Sequence, residues 1–312
     1  MPDLPARAEP EWLRQQPGDR LAVAQQYGFA TWADLEVEVE RRDIFNNLDL
    51  VRLRTLLADR PEQATRRMQH WCDHRKGAEP VGYLAMLRFD ARRLGLPPVG
   101  SGTGATVRAV LNAGAPADGA PGGVETPLMT AASYGDAEVA QVLVDAGADL
   151  ELRAAATAGG VPGGTALAHA AWFGMTEVVD VLVAAGARIG SIAEAAAAGD
   201  LSGFDLAGTP ETERVAALRI AAAHERLAVI DQLLASGTPV DGVDADGSTA
   251  LHEAAYCGRP ASVRHLLARG ADPAASDTTY HSTPLGWCRH QQEEMGDSPG
   301  HEQVGAILVA YE

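Results

Sequence analysis

The sequence is poor in aromatic residues, cysteines and basic side chains. Aromatic residues make up only 5% of the 312 positions, so small aliphatic side chains must supply most of the core packing. Cys72, Cys257 and Cys288 are the only three cysteines, too few and too scattered for a disulfide framework, which favours a reducing compartment. No apolar run is long enough to span a membrane, and the first residues lack a signal-peptide core. We therefore expect a cytoplasmic protein without a membrane partner.

The charge balance argues against a nucleic-acid partner. The chain carries 42 acidic and 25 basic side chains, which gives a formal net charge of −17. Binding a nucleic-acid backbone needs clustered Lys and Arg residues that neutralise phosphates. Opposite charge steers association, so this composition suits a protein partner with a basic surface.

One stretch, residues 248–272, contains the signals for two short antiparallel helices. It reads STALHEAAYCGRPASVRHLLARGAD. Thr249 is suited to cap the first helix, and Gly258 and Gly270 are suited to end the first and second helices in left-handed backbone. Each helix carries an apolar stripe at helical spacing that it cannot bury alone. The unit therefore predicts stacking against copies of itself.

Copies of this unit recur through the chain. Openings of the form T-[PA]-L start at Thr126, Thr165, Thr249 and Thr283, and the last two lie 34 residues apart. With His252 in TALHEAA, the Gly-Asp turn and the Gly-Ala-Asp closings, these repeats resemble the ankyrin repeat family, whose period is about 33 residues. The stretch QQYGFATWADLEVEVE is similar to the leader of some bacterial ankyrin arrays. The resemblance implies an all-α solenoid of stacked antiparallel helix pairs with a helical N-terminal cap.

The expected organisation has three parts. Residues 1–36 form a helical leader whose aromatic residues cover the first end of the array. Residues 37–114 hold degenerate repeats, and residues 115–312 hold the regular array. We expect loop insertions near residues 153–164, 205–212 and 290–300, because the repeat pattern is interrupted there.

Two local motifs suggest other chemistry. Gly100–Ala105 fits the G-x-G-x-x-A dinucleotide fingerprint, but Pro97 and Pro98 precede it where that motif requires a central strand, so we expect a loop between helices. His70 and His74, with Cys72 between them, are spaced four residues apart, so the two histidines could share a metal on a helix. The third and fourth ligands of a zinc site are missing near them in the sequence. We therefore expect no metal and no cofactor.

The resemblance implies a non-catalytic module that binds a partner protein through a concave surface. The first helices of the repeats form this surface together with the fingers, which are the segments that join one repeat to the next. A buried role competes at several of the candidate positions: His252 can bond the backbone between units, and aromatic residues before each turn can pack between helices. The candidate binding residues are Met129, Tyr134, His169, Trp172, Phe173, His252, Glu253, Tyr256, Trp287, Arg289 and His290.

Two alternatives remain open. One is a small-molecule binder or enzyme with a pocket between the three irregular loops, although no catalytic spacing marks such a site. The other is an inhibitor or immunity-type partner of a basic client protein, which the acidity of the chain favours.

Overall fold

The computed structural model describes residues 5, 9–68, 78–296 and 298–311. Within these ranges the chain forms seventeen α-helices and one short 3₁₀ helix and contains no β-strand, which confirms the predicted all-α fold class. The chain divides into two compact units, Met1–Ala166 (unit 1) and Leu167–Glu312 (unit 2). The cluster of His70, Cys72 and His74 lies outside the described residues.

Unit 1 contains residues 1–36, predicted as a leader, and residues 37–114, predicted as degenerate repeats. The boundary that we expected after residue 36 falls inside its third helix. Its helices are α1 (Pro10–Arg14), α2 (Arg20–Gln26), α3 (Trp32–Asn46), α4 (Leu50–Asp59), a 3₁₀ helix (Pro61–Ala64), α5 (Pro80–Asp90), α6 (Thr103–Asn112), α7 (Pro127–Tyr134) and α8 (Ala137–Asp145).

The leader has a small hydrophobic core of its own. Asp19 and Thr31 cap α2 and α3 by accepting from backbone N–H groups of the first turns. Apolar side chains of α1, α2 and α3 and of the connecting segments pack together, and Trp12, Tyr27 and Trp32 lie partly buried against them. Since α3 continues into the first degenerate repeat, the leader and that repeat share one helix.

The glycine motif at residues 100–105 forms a loop followed by the first turn of α6, so the predicted loop is shorter than expected. The free N–H groups of Gly102 and Gly104 donate to the carboxylate of Glu138, at 3.0 and 3.4 Å. Burial raises the pKa of Glu138, but these donors and the Arg88 guanidinium outweigh it and lower the pKa below its usual range. A carboxylate of the chain thus takes the position at this helix N-terminus that an anion would occupy.

Unit 2 contains the rest of the repeats, and its boundary with unit 1 falls after the first residue of α9 (Ala166–Trp172). Its other helices are α10 (Thr176–Ala184), α11 (Ile192–Ala198), α12 (Glu211–Ala223), α13 (Leu227–Ala235), α14 (Ala250–Tyr256), α15 (Pro260–Ala268), α16 (Pro284–Met295) and α17 (Pro299–Val309).

The predicted caps and turns are confirmed. Thr126, Thr249 and Thr283 each accept a hydrogen bond from a backbone N–H in the first turn of the helix they precede. Gly258 and Gly270 adopt left-handed φ angles of 62° and 89°. These caps and turns could be predicted from sequence because the backbone groups that they satisfy lie within one helical turn.

Two expectations about irregular segments were wrong. Residues 290–300 are not a loop insertion, because α16 runs on to Met295 and α17 starts at Pro299. Gln, Glu and Met are strong helix formers, and they extend α16 by more than a turn. Residues 201–206 form turns that lead into the second expected loop. The expected loop at 205–212 ends at Pro210, where α12 begins without a side-chain cap.

Basic side chains of unit 2 bond the carbonyl groups at the ends of earlier first helices. Arg226 Nε donates to the carbonyl of Ala197 and Arg259 Nε to that of Ala223, both at 2.7 Å. Arg259 Nη2 also donates to Gly174 O at 2.7 Å. The last carbonyls of a helix have no partner within it, so these contacts tie the ends of the first helices together.

His224 belongs to the same network and is held neutral. Its Nε2 lies 2.9 Å from the carbonyl of Ala171 and its Nδ1 3.0 Å from the hydroxyl of Thr176. Nε2 therefore carries the proton and Nδ1 accepts. Burial lowers the pKa of His224 to about 4; the Ala171 carbonyl opposes this shift, and the charges of Arg259 and Arg226 add to it.

Acidification should therefore destabilise the protein through His224. In the unfolded chain a histidine has a pKa of about 6.5, so between pH 7 and 4 the unfolded state takes up a proton that the folded state refuses. We expect this group alone to lower the free energy of unfolding by about 2 kcal/mol at pH 5. Urea unfolding at pH 7 and pH 5 measures the loss, and His224→Gln, which cannot titrate, should show a correspondingly smaller one. An equal loss in both proteins would contradict the assignment.

Neighbouring fingers touch so closely that one of them requires glycine. Gly247 has a φ of 76°, and a Cβ atom there would lie 2.9 Å from the backbone nitrogen of Thr278. Gly237 has a similar φ of 90° with nothing within 4 Å of the same position. A comparison of alanine substitutions at the two positions therefore separates the effect of left-handed backbone strain from the effect of finger packing.

Gly247→Ala should destabilise unit 2 more than Gly237→Ala. Both variants place a Cβ in left-handed backbone, which costs about 1–2 kcal/mol. Only Gly247→Ala also forces two backbones apart, and we expect about 1–3 kcal/mol more. The measurement is the midpoint of urea unfolding for the two variants. Equal midpoints would show that the two fingers are not in contact in solution.

Candidate protein-interaction surface

Three of the eleven candidate residues lie in the interior. Met129 is 1% exposed, and His169 and His252 have no exposed area. Met129 Sδ accepts from the backbone N–H of Thr126 at 3.4 Å, which holds it in the capping turn of α7. A side chain without exposed area cannot touch a partner, so these three residues do not belong to an accessible surface.

His252 joins two repeats, as its alternative interpretation predicted. Its Nδ1 accepts from the backbone N–H of Thr249 at 3.2 Å, and its Nε2 lies 3.1 Å from the carbonyl of Ser282 in the next finger. Burial lowers the pKa of His252, although the Ser282 carbonyl favours the charged form. The residue therefore fixes the spacing between α14 and the finger that precedes α16.

Two further candidates are committed to contacts within the chain. In unit 1, Tyr134 is half-buried and its ring lies 4.9 Å from that of Phe89. In unit 2, Glu253 forms an ion pair with Arg219, which also pairs with Asp244 at 2.5 Å. Burial raises the pKa of Glu253, and the positive charge of Arg219 opposes that shift. Glu253 thus serves the packing of α12 against α14.

Large exposed aromatic side chains concentrate in unit 2. Trp172 is 60% exposed, Phe173 36% and Tyr256 40%. Tyr280, in the finger before α16, is 75% exposed and was absent from the sequence-based set of candidates. An aromatic residue in an otherwise polar finger was the signal that could have identified it.

The turn after α9 touches the end of α14. A Cβ atom at Gly174 would lie 2.8 Å from Sγ of Cys257, so these two segments are in direct contact. Phe173 directly precedes Gly174, and Tyr256 directly precedes Cys257. The exposed aromatic residues at the ends of the two helices therefore belong to neighbouring segments of unit 2.

Trp287, at the start of α16, is the centre of a ring cluster. Its ring centroid lies 5.9 Å from that of Tyr256 and 6.5 Å from that of Tyr280, both at an interplanar angle of 76°. His252 packs edge-to-face against it from the interior at 5.2 Å. We use the name aromatic surface for Trp172, Phe173, Tyr256, Tyr280 and Trp287.

Asp277 holds Trp287 and the finger in place. Its buried carboxylate accepts from the indole N–H of Trp287 at 3.0 Å and from backbone N–H groups of Thr279, Tyr280 and Ser282. Burial raises the pKa of Asp277, but these donors outweigh it and lower the pKa to about 2. Its stabilising effect is complete above its unfolded pKa of about 4 and is lost as the pH falls towards 2.

The extension of α16 adds a polar edge to the cluster. Trp287, Gln291 and Glu294 follow at the i, i+4, i+7 spacing that places residues on one helix face. Arg289 and His290 are exposed on the same helix. Burial raises the pKa of Tyr256, and the charges of Cys257, Glu253, Tyr280 and Glu294 act in the same direction.

The described side chains give little support for a Cys257 nucleophile or for metal binding. Burial and the Glu253 charge raise the pKa of the Cys257 thiol to about 12, so it stays protonated at neutral pH and is a poor nucleophile. Within the described ranges no group of three or more His, Cys, Asp or Glu residues could hold a metal ion. Unit 1 has an open cavity between α4 and α6 of about 440 Å³, lined by Leu50, Arg54, Leu57, Ala58, Ala105, Arg108, Ala109, Asn112 and Ala113.

The helix pairs, capped turns and linked fingers define a protein of stacked helical repeats. A family model described as ankyrin repeats (3 copies) matches residues 100–193 and 195–292, more than half of the chain. The chain belongs to the ankyrin repeat family, which confirms the resemblance and the solenoid class of its fold. Ankyrin repeats are generally protein-interaction modules.

A curated relative is similar to part of this chain. The chain is 34% identical over 82 residues to a protein named glycerophosphocholine phosphodiesterase gde1 from Schizosaccharomyces pombe. The match covers 26% of this chain and 6% of that protein. The chain thus spans a small fraction of the length of this relative.

Among the described residues, no helix is both long and apolar enough to cross a membrane.

Asp277→Asn should loosen the finger and release the indole of Trp287. An amide accepts fewer hydrogen bonds than a carboxylate, and we expect a loss of about 2 kcal/mol in the free energy of unfolding. Hydrogen exchange of the Trp287 indole proton should accelerate in the same variant. Asp272→Asn is the control, because exposed Asp272 accepts from the backbone N–H of Ala274 in a similar turn. Similar effects of the two substitutions would contradict the role of Asp277.

Proposed function

We propose that this chain is a non-catalytic module that binds a partner protein through the fingers and first helices of unit 2. The observation that carries the proposal is the aromatic surface, on which Trp172, Phe173, Tyr256 and Tyr280 are all at least 36% exposed. Aromatic residues of this kind often dominate the energy of protein interfaces. Exposed aromatic groups on a rigid scaffold also lose little conformational entropy on binding.

Charge supports a partner with a basic surface. Asp241, Asp246 and Asp272 are exposed on the fingers of unit 2, and the whole chain has a net charge of −17. Such a field accelerates association with a basic protein and weakens as salt screens it. The candidate residues Arg289 and His290 lie at the edge of this surface, where we expect them to affect specificity more than affinity.

The proposal does not extend the phosphodiesterase activity of the relative from fission yeast to this chain. The similarity covers 82 residues and 6% of that protein. Function resides in a site rather than in a shared fold, and no catalytic arrangement of the described residues matches a hydrolytic enzyme.

The test is capture of partners from a lysate of the source organism. The aromatic variant carries Trp172→Ala, Tyr256→Ala and Tyr280→Ala, and a control variant carries Leu21→Ala, Val51→Ala and Tyr311→Ala, which are exposed apolar residues elsewhere. We expect one protein to be retained by the wild type and the control and to be lost from the aromatic variant. Retention should also weaken as salt is raised.

Circular dichroism and urea unfolding first establish that both variants are folded. A partner that stays bound to the folded aromatic variant would contradict the proposed surface. The failure to capture any protein from a lysate in which the chain is expressed would contradict the proposed function.

A further inference from the structure

The ring cluster around Trp287 has the geometry of an aromatic cage. The rings of Tyr256 and Tyr280 each stand at 76° to the indole plane with centroids within 6.5 Å of its centroid. The exposures of Tyr256 and Tyr280, 40% and 75%, leave these rings open to solvent. A cation placed against such faces is attracted by the ring quadrupoles.

A carboxylate lies at the edge of the same cluster. Glu294 is exposed and follows Trp287 by two turns on the same face of α16. The nearby acidic residues Glu253 and Asp244 both pair with Arg219, whose single positive charge offsets part of theirs. Glu294 is exposed on the face of α16 that carries Trp287, and it therefore supplies a negative charge at the edge of the rings.

The chain itself shows how it packs guanidinium groups on rings. In unit 1, the Arg20 guanidinium lies 5.4 Å from the ring centroid of Trp32, and that of Arg93 lies 5.6 Å from Phe89. A planar guanidinium can stack on a ring and donate two parallel hydrogen bonds to a carboxylate, whereas an ammonium group is a point charge. The combination of rings and carboxylate at Trp287 thus fits arginine better than lysine.

We propose that Tyr256, Tyr280, Trp287 and Glu294 form an arginine site that receives one arginine side chain of the partner protein. This inference rests on the proposed function and names the chemistry of the residue that the surface recognises. The guanidinium stacks on the exposed ring of Tyr256, with its positive charge near the ring of Trp287, and Glu294 accepts its hydrogen bonds. Asp277 positions the site by holding the indole and the Tyr280 finger.

Fluorine NMR of protein labelled with 5-fluorotryptophan tests the site directly. The Trp287 resonance is assigned with a Trp287→Phe variant, and the probe is a short glycine- and serine-flanked peptide with one central arginine. We expect a saturable shift of the Trp287 resonance and unchanged resonances for Trp12 and Trp32 of unit 1. The same peptide with citrulline, which has the shape of arginine without its charge, should bind at least about threefold more weakly.

Two substitutions on α16 separate the site from general charge effects. Glu294→Gln should raise the Kd of the arginine peptide about three- to fivefold. Glu293→Gln removes the same charge from the adjacent exposed position and should change the Kd by less than about twofold. Both substitutions lie on the surface and leave the packing of α16 intact.

Several outcomes would overturn the inference. Equal binding of the citrulline peptide would exclude a cation, and equal binding of a lysine peptide would exclude the choice of arginine. Equal effects of the two glutamine substitutions would exclude Glu294. A Trp287 resonance that shifts with protein concentration and no longer responds to peptide would identify a second copy of this chain as the occupant.

The peptide titration and the partner capture can fail independently. If the captured partner depends on the aromatic surface but the titration shows no preference for arginine, the proposed function stands and the arginine site is wrong. If the titration succeeds and no partner is captured, the site exists but does not serve the proposed function.

Discussion

The structure depends on one constraint, which is that none of its short helices can satisfy its own surface or ends. Each first helix of a repeat leaves an apolar stripe and several carbonyl groups without partners. In unit 2 the neighbouring repeats supply both the apolar cover and the donors, as Arg226 and Arg259 do for earlier helices. Stability is therefore a property of the stack rather than of any one repeat.

The same constraint makes the proposed binding surface rigid. Fingers that touch, as at Gly247 and Thr278, cannot move separately, and His252 ties α14 to the next finger. Asp277 then fixes Tyr280 and Trp287 against one another. A surface held in this way binds with a small loss of conformational entropy, and it presents rings and a carboxylate at fixed separations, which is what selective recognition of a guanidinium requires.

Local signals predicted most of the fold. Thr249, Gly258 and Gly270 act within one turn of their own positions, so their roles could be inferred from sequence. The errors fell on segments where repeat phase and helix propensity conflict. Residues 290–295 interrupt the repeat pattern and suggested a loop, but their residue types favour a helix, and packing retains it. That extension places Glu294 on the same helix face as Trp287, so this error hid part of the candidate site.

The sequence by itself determined the fold class, the repeat family and the start and end of most helices, because these depend on interactions between residues close in the chain. Only the tertiary structure decided which candidates are accessible. Met129, His169 and His252 share the pattern of exposed first-helix residues but are buried, whereas Tyr280 is exposed outside that pattern. Burial depends on neighbours thirty or more positions away in the chain. The Ser282 carbonyl that bonds His252 lies 30 residues from it, and Arg219, which pairs with Glu253, lies 34 residues from that residue. Periodicity within one repeat carries no information about such partners.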